Sequence, residues 1–339
     1  MKKVLALVLA AVMLFGLAAC TAKPADPAET KATTATEATK APAKDNFTIG
    51  ICQFMPHPAL DQATKGFKEA VTKELGADKV TFNEQNAAGE ASNCSTIVNG
   101  LVSSKVDLIM ANATPAVAAA YNATEVIPIL GTSVTEYGAA LGIKDFTGTV
   151  GANISGTSDL ANLDKQAQMI LDWVPTAKKV ALLYCSGEAN SQFQVDKVAE
   201  YLKGKNIETK MFGFADTSDM MAVTTSACDY ADVIYVPTDN TVANNATAID
   251  SIARAAKTPI IAGESGICGG CGIATLSIDY YDLGYATGMM AVKILRDGAD
   301  ITKMPIEYAP KETALYNEEI CKALGITPLE GYEKLEVAE

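Results

Sequence analysis

The chain of 339 residues is 49% hydrophobic and carries 27 basic against 40 acidic side chains, a net charge of −13. An acidic surface with two arginines, Arg254 and Arg296, argues against nucleic acid or anionic lipid as a partner. His57 is the one histidine, so any Ser-His-Asp site would have to use it, and nothing nearby in sequence supports that.

The first segments read as an export address. Met1-Lys2-Lys3 is cationic, Val4 to Ala19 is apolar and uncharged, and Leu17-Ala18-Ala19 brings small residues up to Cys20. An apolar stretch of about 15 residues is short for a membrane span but right for a signal. Residues 1–20 are therefore expected to be a lipoprotein signal peptide. Cys20 is then the lipidated residue, holding the chain to the cell membrane on its extracytoplasmic face. Stable anchoring takes two or more lipid chains. Without residues 1–20 two lysines go, leaving 25 basic against 40 acidic side chains. Residues 21–45 are rich in Ala, Thr, Lys, Pro and Glu and lack large apolar groups, which predicts a disordered tether. Its reach is on the order of 25–30 Å.

From residue 47 short β-rich runs alternate with longer amphipathic ones. Strands are predicted at 47–52, 79–83, 107–111 and 127–130, with helices at 58–74, at 90–103 and from Pro115. After a break near 148–158 the rhythm restarts, with strands at 179–184, 208–212, 232–236, 259–262 and 272–277. Helices are predicted at 189–202, 218–228, 240–256 and 280–296, and Pro305 to Ala309 reads as a last crossing. The pattern predicts an α/β fold of two doubly wound lobes with parallel sheets, joined by three hinge crossings around a central cleft. The first lobe is expected over 46–155 with 280–305 returning to it. The second is expected over 156–279, with 306–339 crossing back.

In open α/β sheets a ligand lies beyond the carboxyl ends of the strands. Those positions hold Phe54 and His57, then Thr114, then Ser133 and Thr135. In the second half they hold Glu188, Asn190 and Ser191, then Asp239 and Asn240, then Glu264 and Asp279. Thr114, Ser133, Thr135 and the helix start at Asn190-Ser191 suit a carboxylate. Asp279, with Asp239, Glu188 or Glu264, suits an ammonium, so the set fits a small zwitterion such as an amino acid. Phe54, Tyr137, Tyr280 and Tyr281 offer stacking faces. Ser, Thr, Asp and Asn at helix starts are also ordinary N-caps. No nucleophile elbow, phosphate loop or dinucleotide fingerprint is present, so no enzyme and no cofactor is expected. Seven cysteines besides Cys20 leave at least one without a partner inside the chain. Cys268-Gly-Gly-Cys271 has the spacing of a redox or metal pair, but without a second pair it reads as a local disulfide or two loop thiols, and no metal is expected.

At these strand ends the chain resembles the tryptophan/tyrosine-type substrate-binding lipoproteins of ABC transporters. The matching stretches are Ile49-Gly-Ile-Cys-Gln53, His57-Pro-Ala-Leu-Asp61, Ala113-Thr-Pro115, Glu188-Ala-Asn-Ser191, Tyr235-Val-Pro-Thr-Asp-Asn-Thr241, Ala262-Gly-Glu264 and Ile278-Asp-Tyr-Tyr-Asp-Leu-Gly284. They span about residues 47–310. The resemblance implies the periplasmic-binding-protein type I fold and an aromatic amino acid as ligand. It also implies ABC permease subunits as partners and a lipid anchor in the membrane. The chain departs from the family where Val134-Thr135 is followed by Glu136-Tyr137 instead of Asp-Pro, and at Ile267-Cys-Gly-Gly-Cys271. A receptor for a peptide, nucleoside or sugar, a redox protein using Cys268 and Cys271, and a lobe serving a membrane sensor are the competing readings.

Overall fold

A computed structural model describes residues 44–336. The expected signal, Cys20 and nearly all of the expected tether lie outside that range.

Two sheets form. The first takes β1 (Phe47–Gln53), β2 (Val80–Asn86), β3 (Leu108–Asn112), β4 (Ile129–Val134) and β5 (Ile154–Ser158). The second takes β6 (Lys179–Cys185), β7 (Glu208–Phe214), β8 (Val233–Val236), β9 (Ile260–Ala262) and β10 (Ala274–Ser277). The chain then returns to the first sheet with β11 (Glu307–Tyr308) and to the second with β12 (Thr313–Tyr316) and β13 (Glu333–Lys334). The strand orders are β11-β5-β4-β3-β1-β2 and β13-β12-β10-β9-β8-β6-β7. The first sheet is parallel throughout; in the second, β12 runs antiparallel to β10. Central strands such as β3 are buried at every residue, as helices on both faces require.

Between strands lie α1 (Pro58–Leu75), α2 (Ala91–Ser103), α3 (Thr114–Ala123) and α4 (Tyr137–Leu141) in the first lobe. The second holds α5 (Leu163–Trp173), α6 (Ala189–Gly204), α7 (Thr217–Tyr230), α8 (Asn240–Ala256) and α9 (Ser265–Cys271). Helix α10 (Tyr280–Leu295) packs along α1. Two glycines make that packing close: a Cβ on Gly66 would land on the Tyr281 carbonyl, and one on Gly284 on the Ala63 carbonyl. Phe67 and Val71 of α1 and Met290 and Val292 of α10 then share one apolar cluster with Ile49 and Ile51 of β1. Full burial of such a side chain is worth about 1.5–3 kcal/mol.

The three crossings follow from the sheet membership. They fall at residues 159–162, 278–279 and 309–312. The third lies beyond Tyr308, whereas the sequence pattern placed it at 306. Strand β5 occupies the stretch that reads in sequence as a break, because Ile154-Ser-Gly-Thr-Ser158 has one apolar side chain. The Cys268-Gly-Gly-Cys271 stretch is the body of α9 rather than a loop. Glu264 caps that helix through the N–H groups of Gly266 and Ile267, and both cysteines enter the core of the second lobe.

Candidate functional site

Strands β3, β4 and β5 lie side by side, and their carboxyl ends carry unusual backbone. Ala113, just after β3, has φ 88° and ψ 158°. Ser133, near the end of β4, has φ 53°, where the β4–β5 register shifts between Gly131 and Val134. Positive φ in an alanine and a serine is strained, and such strain concentrates where a site demands it. The Ser133 Oγ is buried without a hydrogen-bond partner. Next to it, beyond β5, lies Asp159, 4% exposed. Its Oδ2 accepts from the Tyr280 hydroxyl at 3.0 Å, while its Oδ1 is buried and unpartnered. Burial pushes its carboxyl up to about 6, against the nearby Thr135 hydroxyl and the Tyr280 hydroxyl that donates to it.

Across the cleft most polar groups are engaged with one another. Glu188 accepts from Asn240 N and Nδ2, from Thr241 N and Oγ1, and from Asn190 Nδ2. Asp239 accepts from Cys185 N at 2.7 Å and Val242 N at 2.8 Å, and Ser191 donates to it as well. The start of α8 thus has its first N–H groups taken. Burial and the neighbouring Glu188 carboxylate still push Asp239 up to about 8. Glu264, raised by burial and held back by His57, is spent on α9. Left over on this side are the Asn190 Oδ1, buried and unpartnered, and the start of α6, whose N-cap Glu188 gives its own helix no side-chain bond. Helix α3 also starts without a side-chain cap. Two open helix starts therefore flank the cleft, one from each lobe.

The lobes touch. His57 Nε2 lies 3.2 Å from Asn240 Oδ1, and because Asn240 Nδ2 is held by Glu188, the histidine is the donor. His57, Asp159, Thr238, Asp239, Asn240, Glu264 and Tyr280 surround a pocket of about 10 Å³, room for roughly one water. Among the described residues the buried polar ones include four carboxylates, Asp159, Glu188, Asp239 and Glu264, one histidine, and no lysine or arginine. A buried interface with that excess of acids favours a cation.

Residues 48–335 match the family described as ABC transporter substrate binding protein. The chain is also 36% identical over 289 residues to the tyrosine-binding protein of Clostridioides difficile (strain R20291), covering 85% of this chain and 83% of that one. It belongs to the ABC transporter substrate-binding family. That family binds solutes and is not one of enzymes. Among solved structures, the ABC domain from Streptococcus pneumonia in complex with L-Trp is 30% identical, with a TM-score of 0.81 over 85% of this chain and 99% of that one. A ligand-free, open substrate-binding protein with adhesive properties from Clostridium difficile is 36% identical, yet its TM-score is 0.67 over 86% and 100%. The higher identity goes with the poorer superposition. The second of these structures is an open one, and the His57–Asn240 contact is of the kind that a closed arrangement makes.

For this substrate-binding protein the expected site residues fall into three groups. Ser133 and Asn190 bring unpartnered atoms to the strand ends, with Thr114 buried as the first residue of α3. His57, Glu188, Ser191, Asp239 and Asn240 gather near the lobe interface, but their polar atoms serve one another, while Thr135 is buried beside Asp159. The third group departs from expectation. Asp279 is exposed and caps α10 through Asp282 N at 2.9 Å, so its carboxylate is spent at the surface. Phe54 is 4% exposed and packs in the first lobe's apolar cluster. Tyr137 points into the same cluster, donating to the Thr157 carbonyl at 3.1 Å in space that Gly131 and Gly156 leave free. Tyr281 is on the outer face, bonded to Glu69. Burial raises the Cys268 and Cys271 thiols, which makes them poor nucleophiles and poor ligands. Asp159 is the site residue that sequence reading missed. Its signal was a carboxylate just past a strand, hidden because β5 itself was not legible.

Proposed function

We propose that this protein is an extracytoplasmic, lipid-anchored receptor that captures an aromatic amino acid between its lobes and delivers it to an ABC permease. The observation that carries the amino-acid reading is the Asp159 Oδ1, a buried carboxylate oxygen without a partner at the end of β5. Left empty, such a group is costly; filled by an ammonium, it becomes a charge-assisted hydrogen bond. The ammonium takes Asp159, with the Asn190 Oδ1 as a second acceptor. The carboxylate takes the Ser133 hydroxyl and the open starts of α3 and α6. These groups come from both lobes, and a ligand shifts an open–closed equilibrium only through contacts that the closed form adds.

The choice of an aromatic side chain is supported by the tyrosine-binding relative and by the L-Trp bound in the Streptococcus structure. Membrane anchoring and delivery rest on the Cys20 pattern. A tether of about 25 residues would keep the receptor near its permease and raise its effective concentration there.

Calorimetric titration of residues 44–339 with tyrosine, tryptophan, phenylalanine, leucine, a dipeptide, a nucleoside and glucose tests the ligand. Saturable heat with tyrosine or tryptophan is expected. Silence with every amino acid, or a response to glucose alone, would sink the amino-acid reading. Mass spectrometry of the membrane-extracted full chain tests the anchor: diacylglycerol on Cys20 is expected, and an unmodified Cys20 overturns it.

A further inference from the structure

The seven described cysteines are not equivalent. Cys185, Cys268 and Cys321 each point their sulfur at a backbone carbonyl, those of Ala215, Gly272 and Ile273. Cys228 lies beside Thr258, and Cys271 packs in the second lobe's core. Cys52 and Cys94 instead face each other inside one apolar cluster, Cys52 from β1 and Cys94 from α2.

That contact is built by the chain around it. Cys52 is the next-to-last residue of β1, and Cys94 sits in the first turn of α2. The link from β2 to α2 is tied back over the end of β1: Ala87 N donates to the Gln53 carbonyl at 2.9 Å and Gly89 N to the Phe54 carbonyl at 2.8 Å. Asn93 Nδ2 closes the turn on the Ala87 carbonyl at 3.1 Å. Ala88 and Gly89 take positive φ, 55° and 84°, to make the reversal. The result lowers the start of α2 onto Cys52, and both sulfurs lie in the first lobe's apolar cluster with no exposure.

We propose that Cys52 and Cys94 form a disulfide that staples the first turn of α2 to the end of β1, just ahead of the segment that carries His57 into the cleft. The two thiols together lose two protons and two electrons. An oxidised protein or small-molecule disulfide accepts them by exchange and leaves as two thiols. The contact raises the Cys52 thiol and lowers that of Cys94. With both side chains at 0% exposure no disulfide reagent reaches them in the folded protein, so the exchange belongs to folding, before the cluster closes. In the cell the bond needs an oxidising compartment and so rests on the proposed export. Its formation in the purified chain does not.

The test is peptide mapping of residues 44–339 refolded with oxidised glutathione, then denatured and alkylated without reductant. A linked pair of peptides holding Cys52 and Cys94 is expected, with Cys185, Cys228, Cys268, Cys271 and Cys321 alkylated. The oxidised protein should melt about 5–10 °C above the same chain refolded under reductant. Alkylation of both Cys52 and Cys94, or linkage of either to another cysteine, overturns the proposal. The same mapping on full-length protein from its membrane fraction separates the two inferences. Free thiols there, with the link formed in vitro, count against export and leave the staple standing.

Discussion

Asp159 holds two opposed roles that one substitution separates. With the lobes closed it is a carboxylate taken from water with one oxygen unpartnered, and burial pushes it up to about 6. To an ammonium it offers a strong acceptor. Asp159→Asn is therefore expected to weaken tyrosine or tryptophan binding by about 2–5 kcal/mol, the usual loss on truncating a buried charge pair. It is also expected to raise the ligand-free melting temperature at pH 8, because an uncompensated buried charge is gone. Calorimetry and a thermal melt read the two effects. Unchanged affinity would assign the ammonium elsewhere. Sequence alone pointed to Ser133 and Asn190 because hydroxyls and amides after apolar runs are conspicuous. It also pointed to Asp279, whose type is right. What decides between carboxylates is which oxygens are already used, and that depends on neighbours far apart in the chain. Asp239 meets Cys185, and Glu188 meets Asn240, across more than 50 residues.

At the scale of elements, the alternation of strands and helices was legible because parallel strands buried on both faces are continuous apolar runs. Strand β5 escaped because its pairing with β4 and β11 is carried by backbone rather than side chains. The return of α10 to the first lobe was legible from its apolar stripe, but the closeness of its packing on α1 was not. That closeness depends on glycines that helix propensity counts as defects. Replacing a mid-helix glycine by alanine should gain about 0.5–1 kcal/mol. Overpacking typically costs about 1–3 kcal/mol, and the Ala63 carbonyl against Gly284 is backbone that cannot swing away. Sterics should win there. Gly284→Ala is expected to lower the urea midpoint, while Gly100→Ala, on α2 with nothing within 4 Å of the added methyl, should raise it. If both substitutions stabilise, the α1–α10 seam is looser than described.

For the whole molecule, the lobe interface holds acids that would rather be apart. Asp159 is pushed up to about 6 and Asp239 to about 8, and Glu264 is raised as well, each chiefly by burial. An acid whose folded value exceeds its unfolded one, about 4, holds its proton more tightly when folded. Its stabilising effect is therefore complete below about pH 4 and fades as pH rises through 6 for Asp159 and through 8 for Asp239. Without added ligand, the protein with its lobes closed should accordingly lose melting temperature between pH 5 and 8. Binding should show the opposite slope. An amino acid stays a zwitterion between pH 5 and 7, so at the lower end its ammonium must displace the Asp159 proton. Affinity should climb with pH, approaching about tenfold per unit below pH 6, and level off above it. Titrations at pH 5.5 in buffers of different ionisation heat would count the proton directly, with release of most of one proton per ligand expected. Binding without proton release, at an affinity flat from pH 5 to 7, would mean that the closed lobes keep Asp159 neutral and that the ammonium is held by other groups.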